Sequence, residues 1–239
     1  MKIFPAIDIR DGKVVRLTHG DFNKEVRYEI TPMEAAVQFA EAGAKNLHIV
    51  DLDGAKDDKL SNSDIIKEIV EKTDMFVEVG GGIRNQERLE RYLDIGVDRV
   101  ILGTIAVNNI PFLRDMATKY SDRLAVGIDV KDGYVATRGW QEMSGVVGED
   151  FCSRLHLLGV LHVIYTDISR DGTMGGVNVE LYERLTKKCA LDIIASGGVG
   201  SLEDIRKLRD AGVHGVVLGK ALYSGAIDLK RALEIAGED

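Results

Sequence analysis

Two aspartates are the first residues in this chain that could do chemistry. At an offset of 121 residues, Ile7-Asp8-Ile9-Arg10-Asp11-Gly12-Lys13-Val14 falls on Ile128-Asp129-Val130-Lys131-Asp132-Gly133-Tyr134-Val135. Two carboxyls facing one ligand can serve as acid and base when their surroundings hold their pKa values apart. A structural duty is the alternative, since an Asp-Gly pair makes a two-residue hairpin turn. That turn, however, belongs to Asp11 and Asp132, three residues later. Asp8 and Asp129 are left as the candidate catalytic pair.

Glycines repeat with them. At an offset of 116, Gly81-Gly82 meets Gly197-Gly198, Gly103 meets Gly219, and Asp51 meets Asp167. Backbone N–H groups at glycine can approach a phosphate closely. Tight turns between strand and helix need glycine for their own reasons, so each pair alone is weak. Together, one cradle per half with the aspartates between them suits a ligand carrying a phosphate at each end. Thr104 offers a hydroxyl to one cradle, and Lys220 offers charge to the other or is simply solvated. Asp51 and Asp167 either orient groups at the rim or hold it by hydrogen bonds. Asp51-Leu52-Asp53-Gly54 starts like a calcium loop but lacks the glutamate that would complete it. Arg84 points a guanidinium toward the same region. Trp140, the only tryptophan, is either a packing anchor or a lid over a flat heterocycle. His48 lies in a strand pattern as a core or rim residue, and His19 lies in the long first loop, within reach of a ligand. No histidine has metal-ligand spacing, and Cys152 and Cys189 read as buried thiols.

The elements that must position these groups are short apolar runs separated by amphipathic stretches. Strands are expected at 3–7, 47–51, 76–80, 100–103, 125–129, 163–167, 193–196 and 216–219. The runs lack polar alternation, as in a parallel sheet covered on both faces. Helix starts are marked by Thr31-Pro32-Met33-Glu34, Ser61 with Asp64, Asn85 and Ser201. Gly43, Gly96, Gly159 and Gly212 mark helix ends. Eight strand–helix pairs make an α/β fold of the (β/α)8 TIM barrel type. Its expected organisation is one domain, residues 1–239, made of two pseudo-symmetric half-barrels at about 1–120 and 121–239.

Composition excludes several classes. The net charge of −8 argues against a general nucleic-acid binder. No apolar stretch reaches membrane-spanning length and no signal peptide opens the sequence, so a cytoplasmic monomer acting on a small molecule is expected.

Longer motifs carry a resemblance. Residues 5–17, His48-Ile49-Val50-Asp51-Leu52-Asp53-Gly54-Ala55, Val79-Gly80-Gly81-Gly82-Ile83-Arg84 and Gly139-Trp140 resemble the ProFAR isomerase family of histidine biosynthesis. So do Gly127-Ile128-Asp129-Val130, Thr166-Asp167-Ile168-Ser169-Arg170-Asp171-Gly172-Thr173 and Ala195-Ser196-Gly197-Gly198-Val199. ProFAR, a phosphoribosyl-formimino-aminoimidazole-carboxamide ribotide, carries a phosphate at both ends. The resemblance covers essentially the whole chain and implies an Amadori rearrangement of an aminoaldose to an aminoketose without metal or organic cofactor. By it Asp8 is the proton acceptor and Asp129 the donor, labels that a coupled pair can in part exchange. Thr166 and Asp171 hold or polarise the sugar, Arg84 binds substrate, and Trp140 closes over the imidazole. Gly82, Gly103, Thr104, Gly172, Gly198 and Gly219 complete the binding set. Against the sister cyclase of the pathway stand Gly139-Trp140 and the Pro5-Ala6-Ile7-Asp8 opening. Against a bifunctional isomerase that also takes phosphoribosyl anthranilate stands Gly80, where such relatives tend to carry serine. Against a non-catalytic bisphosphate-binding barrel stand the two intact aspartates.

Overall fold

The computed structural model describes residues 1–18, 21–57 and 62–238. Its strands are β1 (Lys2–Arg10), β2 (Lys13–Thr18), β3 (Asp21–Arg27), β4 (Asn46–Asp51), β5 (Phe76–Gly80) and β6 (Arg99–Leu102). They continue with β7 (Leu124–Lys131), β8 (Tyr134–Thr137), β9 (Glu142–Val147), β10 (His162–Asp167), β11 (Asp192–Ser196) and β12 (Gly215–Leu218). The helices are α1 (Pro32–Glu41), α2 (Leu52–Asp57), α3 (Ser63–Lys72), α4 (Gln86–Asp94), α5 (Thr104–Asn108) and α6 (Ile110–Tyr120). After them come α7 (Gly148–Leu155), α8 (Val179–Lys188), α9 (Leu202–Asp210), α10 (Lys220–Tyr223) and α11 (Leu229–Ala236).

Parallel pairing runs β1-β4-β5-β6-β7-β10-β11-β12 and returns to β1, so eight strands close a barrel. This is the (β/α)8 architecture expected from the eight apolar runs. Side chains alternate across each strand. In β1, Phe4, Ala6 and Asp8 share one face, while Ile3, Ile7 and Ile9 share the other. The outer face packs with the helices in one large cluster that includes Ile66, Leu89, Leu113, Leu185 and Ile205. A separate cluster of Phe4, Ala6, Ile101, Ala125, Ile164, Ile194 and Val217 fills the barrel's inside. Two cores separated by one sheet explain why the strand runs carry no polar alternation.

The structure departs from the expected strand limits at the two aspartates. β1 continues through Arg10 and β7 through Lys131, so Asp8 and Asp129 lie within strands rather than at their ends. Each strand bends back into an antiparallel hairpin, β1–β2 with Ile9 opposite Val14 and β7–β8 with Val130 opposite Val135. The turns have left-handed residues at both positions, Asp11 and Gly12 at φ 49° and 70°, Asp132 and Gly133 at 52° and 85°. Those are the dihedrals of a type I′ hairpin, which matches the twist of its strands. The further strands β3 and β9 extend both ladders.

Thr31 closes its capping box with Glu34 behind Pro32, Ser201 closes one with Asp204, and Asn85 caps α4 through Arg88 N. Ser61 lies outside the described residues, and the position before α3 is taken by Asn62. Gly43, Gly96, Gly159 and Gly212 all have positive φ, as expected of helix ends. Cys152 and Cys189 are free and buried. No helix among the described residues is long and apolar enough to cross a membrane.

Candidate active site

The alternation that buries Phe4 and Ala6 turns Asp8 into the same interior, at the end of the barrel where the parallel strands finish. The same parity in β7 turns Asp129 inward above Ala125 and Gly127. Thr166, the register partner of Asp129 on β10, is buried beside it. The two aspartates therefore face one mouth, with unlike surroundings.

Asp8 is 9% exposed and paired with a cation: Arg16 Nη1 donates to its Oδ2 at 2.9 Å. The other arm of that guanidinium, Nη2, donates to Asp171 Oδ1 at 2.7 Å. Burial works against the Arg16 charge, but Asp8 and Asp171 more than offset it. Asp129 has no such ion pair among the described residues. Burial pushes its carboxyl above the usual range, against hydrogen bonds from Trp140 and Thr166, with the negative charge of Asp171 adding to the rise and His48 opposing it. One carboxyl is thus ion-paired with a fixed arginine, and burial biases the other toward keeping its proton.

Trp140 reaches Asp129 because the segment after β8 is tightly curled. Arg138, Gly139 and Trp140 have φ of 54°, 63° and 69°. The two non-glycine residues on either side of Gly139 in that region cost energy that the surrounding structure must offset. The Arg138 N–H donates to Thr104 Oγ1 at 2.9 Å, tying the loop to the Gly103–Thr104 turn.

Beside Asp171 lies an open cavity lined by Arg16, Asp171, Gly172, Gly197, Gly198, Gly219 and Lys220, among others. Lys220 is not simply solvated: its Nζ donates to Gly172 O at 2.7 Å. Arg16 Nε is buried and has no hydrogen-bond partner among the described residues. Gly103 and Gly219, one per half, have nearly the same backbone, φ/ψ −97°/−108° and −106°/−105°. A Cβ on Gly103 would meet nothing within 4 Å. The paired glycines have a different role. A Cβ on Gly82 would lie 1.8 Å from Gly54 O, and one on Gly198 2.6 Å from Gly176 O. Their first requirement is the close packing of neighbouring loops.

Asp51 is wholly buried and accepts from Gly54 N, Asn62 Nδ2 and Tyr92 Oη at 3.0, 2.7 and 2.7 Å. It holds the rim rather than the ligand. Asp167 does likewise with Ser169 and Arg170. Arg84 is exposed on the loop after β5, with Nη2 donating to Ala55 O at 2.9 Å. His19 lies outside the described residues. Among those residues no group of three or more His, Cys, Asp or Glu is placed to hold a metal.

Arg16, Glu78 and Arg99 are missing from the residues singled out in the sequence. Each is a charged letter inside an apolar run, Val14-Val15-Arg16-Leu17, Val77-Glu78-Val79 and Arg99-Val100-Ile101-Leu102. That signal was available.

Comparison with known proteins bears on the same chain. Residues 2–228 match the family model described as histidine biosynthesis protein. A protein of Brachyspira hyodysenteriae is 47% identical over 236 residues, covering 99% of each chain. Proteins of Clostridioides difficile and Bacillus cereus are 44% and 46% identical, each comparison covering 98% of both chains. All three are named 1-(5-phosphoribosyl)-5-((5-phosphoribosylamino)methylideneamino)imidazole-4-carboxamide isomerase.

Proposed function

Because this chain belongs to the histidine-biosynthesis protein family, we propose that it is the isomerase that its relatives are named for. It converts ProFAR to the phosphoribulosyl isomer by an Amadori rearrangement, working as a cytoplasmic monomer on a small bisphosphorylated substrate. The observation that carries the mechanism is the unlike environment of two carboxyls at one mouth: Asp8 clamped by Arg16 at 2.9 Å, Asp129 raised by burial.

Asp129 gives its proton to the ring oxygen of the aminoaldose. The C1′–O bond breaks, and the nitrogen lone pair forms a C1′=N iminium. That cation acidifies C2′–H, and Asp8 takes the proton as the electrons form an enolamine. Transfer of the enol proton and reprotonation at C1′ give the ketone, so the atoms of substrate and product are the same. Trp140 covers the heterocycle, while Thr166 and Asp171 position the opened sugar. One phosphate occupies the cavity bounded by Gly172, Gly198 and Gly219, where Arg16 and Lys220 supply positive charge. The other lies at Gly82, Gly103 and Thr104, with Arg84 at its edge.

Asp8→Asn and Asp129→Asn test the assignment. Each is expected to lower kcat with ProFAR by at least about a hundredfold, the low end for acid–base groups, with substrate binding largely kept. Near-normal turnover in either variant would remove that residue from the mechanism.

A further inference from the structure

Each cradle glycine is followed by a side chain that reaches out of its own turn. After Gly103, Thr104 Oγ1 accepts from the Arg138 N–H at 2.9 Å. After Gly219, at the offset of 116, Lys220 Nζ donates to Gly172 O at 2.7 Å. In both halves the residue behind the glycine holds a loop that follows a different strand. The residue types differ, but the tie is kept. Lys220 is half-buried, and its ammonium is fixed to the backbone rather than left in water.

What Lys220 holds decides what it can do. Gly172 lies in the left-handed region at φ 69°, and the residue before it is the buried Asp171. Asp171 Oδ1 accepts from Arg16 Nη2 at 2.7 Å, and Arg16 Nη1 donates to Asp8 Oδ2 at 2.9 Å. The Asp171–Gly172 turn also packs against the strand that carries Arg16, since a Cβ on Gly172 would lie 3.8 Å from Leu17 O. Gly219 touches the same arginine. A Cβ there would lie 3.0 Å from both Cζ and Nη1 of Arg16, so the guanidinium lies close against the cradle. Contacts therefore run unbroken from Gly219 and Lys220 through Gly172, Asp171 and Arg16 to Asp8. All of these except Asp8 line the one cavity. An ammonium carries three hydrogens, so the bond to Gly172 O leaves two for a phosphate. The phosphate and the turn that steers Asp8 meet at one nitrogen. Resting on the base role given to Asp8 above, we infer that Lys220 is a positioning residue: through the Asp171–Gly172 turn and Arg16 it ties the phosphate anchor to the carboxylate that takes the C2′ proton.

Lys220→Met keeps the apolar stem and removes the donor, and a half-buried side chain at the mouth can be replaced without emptying the core. The test compares kcat and KM with ProFAR in the wild type, Lys220→Met, Asp8→Asn and the double variant. Loss of an anchor that serves substrate and transition state alike raises KM and leaves kcat unchanged. A base out of line lowers kcat instead, and a misplacement of about 1 Å can cost a hundredfold. Lys220→Met is therefore expected to lower kcat at least about tenfold when Asp8 is present. In the Asp8→Asn background no base is left to place, and the further loss should stay under about twofold. A raised KM with unchanged kcat overturns the inference and leaves Lys220 as a charge for phosphate alone. An equal drop in kcat in both backgrounds overturns it too, because groups that do not act through one another have additive effects. Near-normal turnover of Asp8→Asn by itself is a different failure, which sinks the base assignment on which the inference rests.

Discussion

Glu78 and Arg99 are among the most buried charges described, 0% and 2% exposed at the side chain, and are paired with each other. Removing one partner of such a pair strands the other in a low-dielectric interior. Arg99→Met is therefore expected to lower stability by about 3–5 kcal/mol in urea unfolding. A loss near that of an ordinary surface substitution would mean that water reaches Glu78. The sign of the pH effect follows from the carboxyl. Its folded-state pKa is depressed, so the stabilisation is fully present above the ordinary value of 4.5 and is lost as pH falls through the lower folded value. At this scale the sequence was partly legible. Asp8 and Asp129 announce themselves because a similar context recurs around each. Glu78 and Arg99 do not, since one charged letter in an apolar strand gains meaning only through register, and register joins residues about twenty or thirty apart. Arg16 was hidden differently: it reaches Asp8 by a hairpin and Asp171 across the mouth.

Helix starts were the most readable elements, because a cap is a local contract between residues three apart. At α9, Ser201 Oγ accepts from Asp204 N at 3.2 Å and Asp204 Oδ2 accepts from Ser201 N at 3.0 Å. Ser201→Ala is expected to lower stability by about 1 kcal/mol, seen as a melting temperature about 2–4 °C lower. An unchanged melting temperature would show that packing of Ile205 and Leu208 sets this helix alone. The start of α3 shows where local reading fails. Asn62 stands at the cap position but makes no cap bond, because its Oδ1 accepts from Gly12 N at 3.3 Å while its Nδ2 donates to Asp51 and Asp53 at 2.7 and 2.8 Å. Tertiary demand at the rim of the barrel has taken a residue that propensity would assign to the helix. The strands that follow the Asp-Gly turns, β2 and β3 in one half and β8 and β9 in the other, were missed for a related reason. β3 and β9 carry exposed positions, such as Arg27 and Met143, and the short apolar run of β2 is broken by Arg16, so no uninterrupted apolar run marks them.

For the molecule as a whole, the repeat decides how a ligand must lie. Gly103 and Gly219 share one backbone conformation on opposite halves of the barrel, and the two aspartates face the mouth that lies between them. A ligand anchored at only one end would leave the other cradle unused and its reacting carbons free to swing away from Asp8 and Asp129. Binding energy from both phosphates is therefore expected, spent on holding the sugar in register with the acid and the base. Titration calorimetry with analogues lacking either terminal phosphate should show each loss weakening binding by at least about tenfold, or 1.4 kcal/mol. The cradles are not equal in charge. Arg16 and Lys220 line the cavity at Gly219, whereas the other cradle has the Thr104 hydroxyl and a single arginine, Arg84, at its edge. Loss of the phosphate at the Gly219 side should consequently cost no less than loss at the Gly103 side, and its cost should fall more steeply with added salt. Indifference to one phosphate would leave the doubled glycines as a packing legacy of the repeat. In that case the close approaches at Gly82 and Gly198 would be a sufficient account of them.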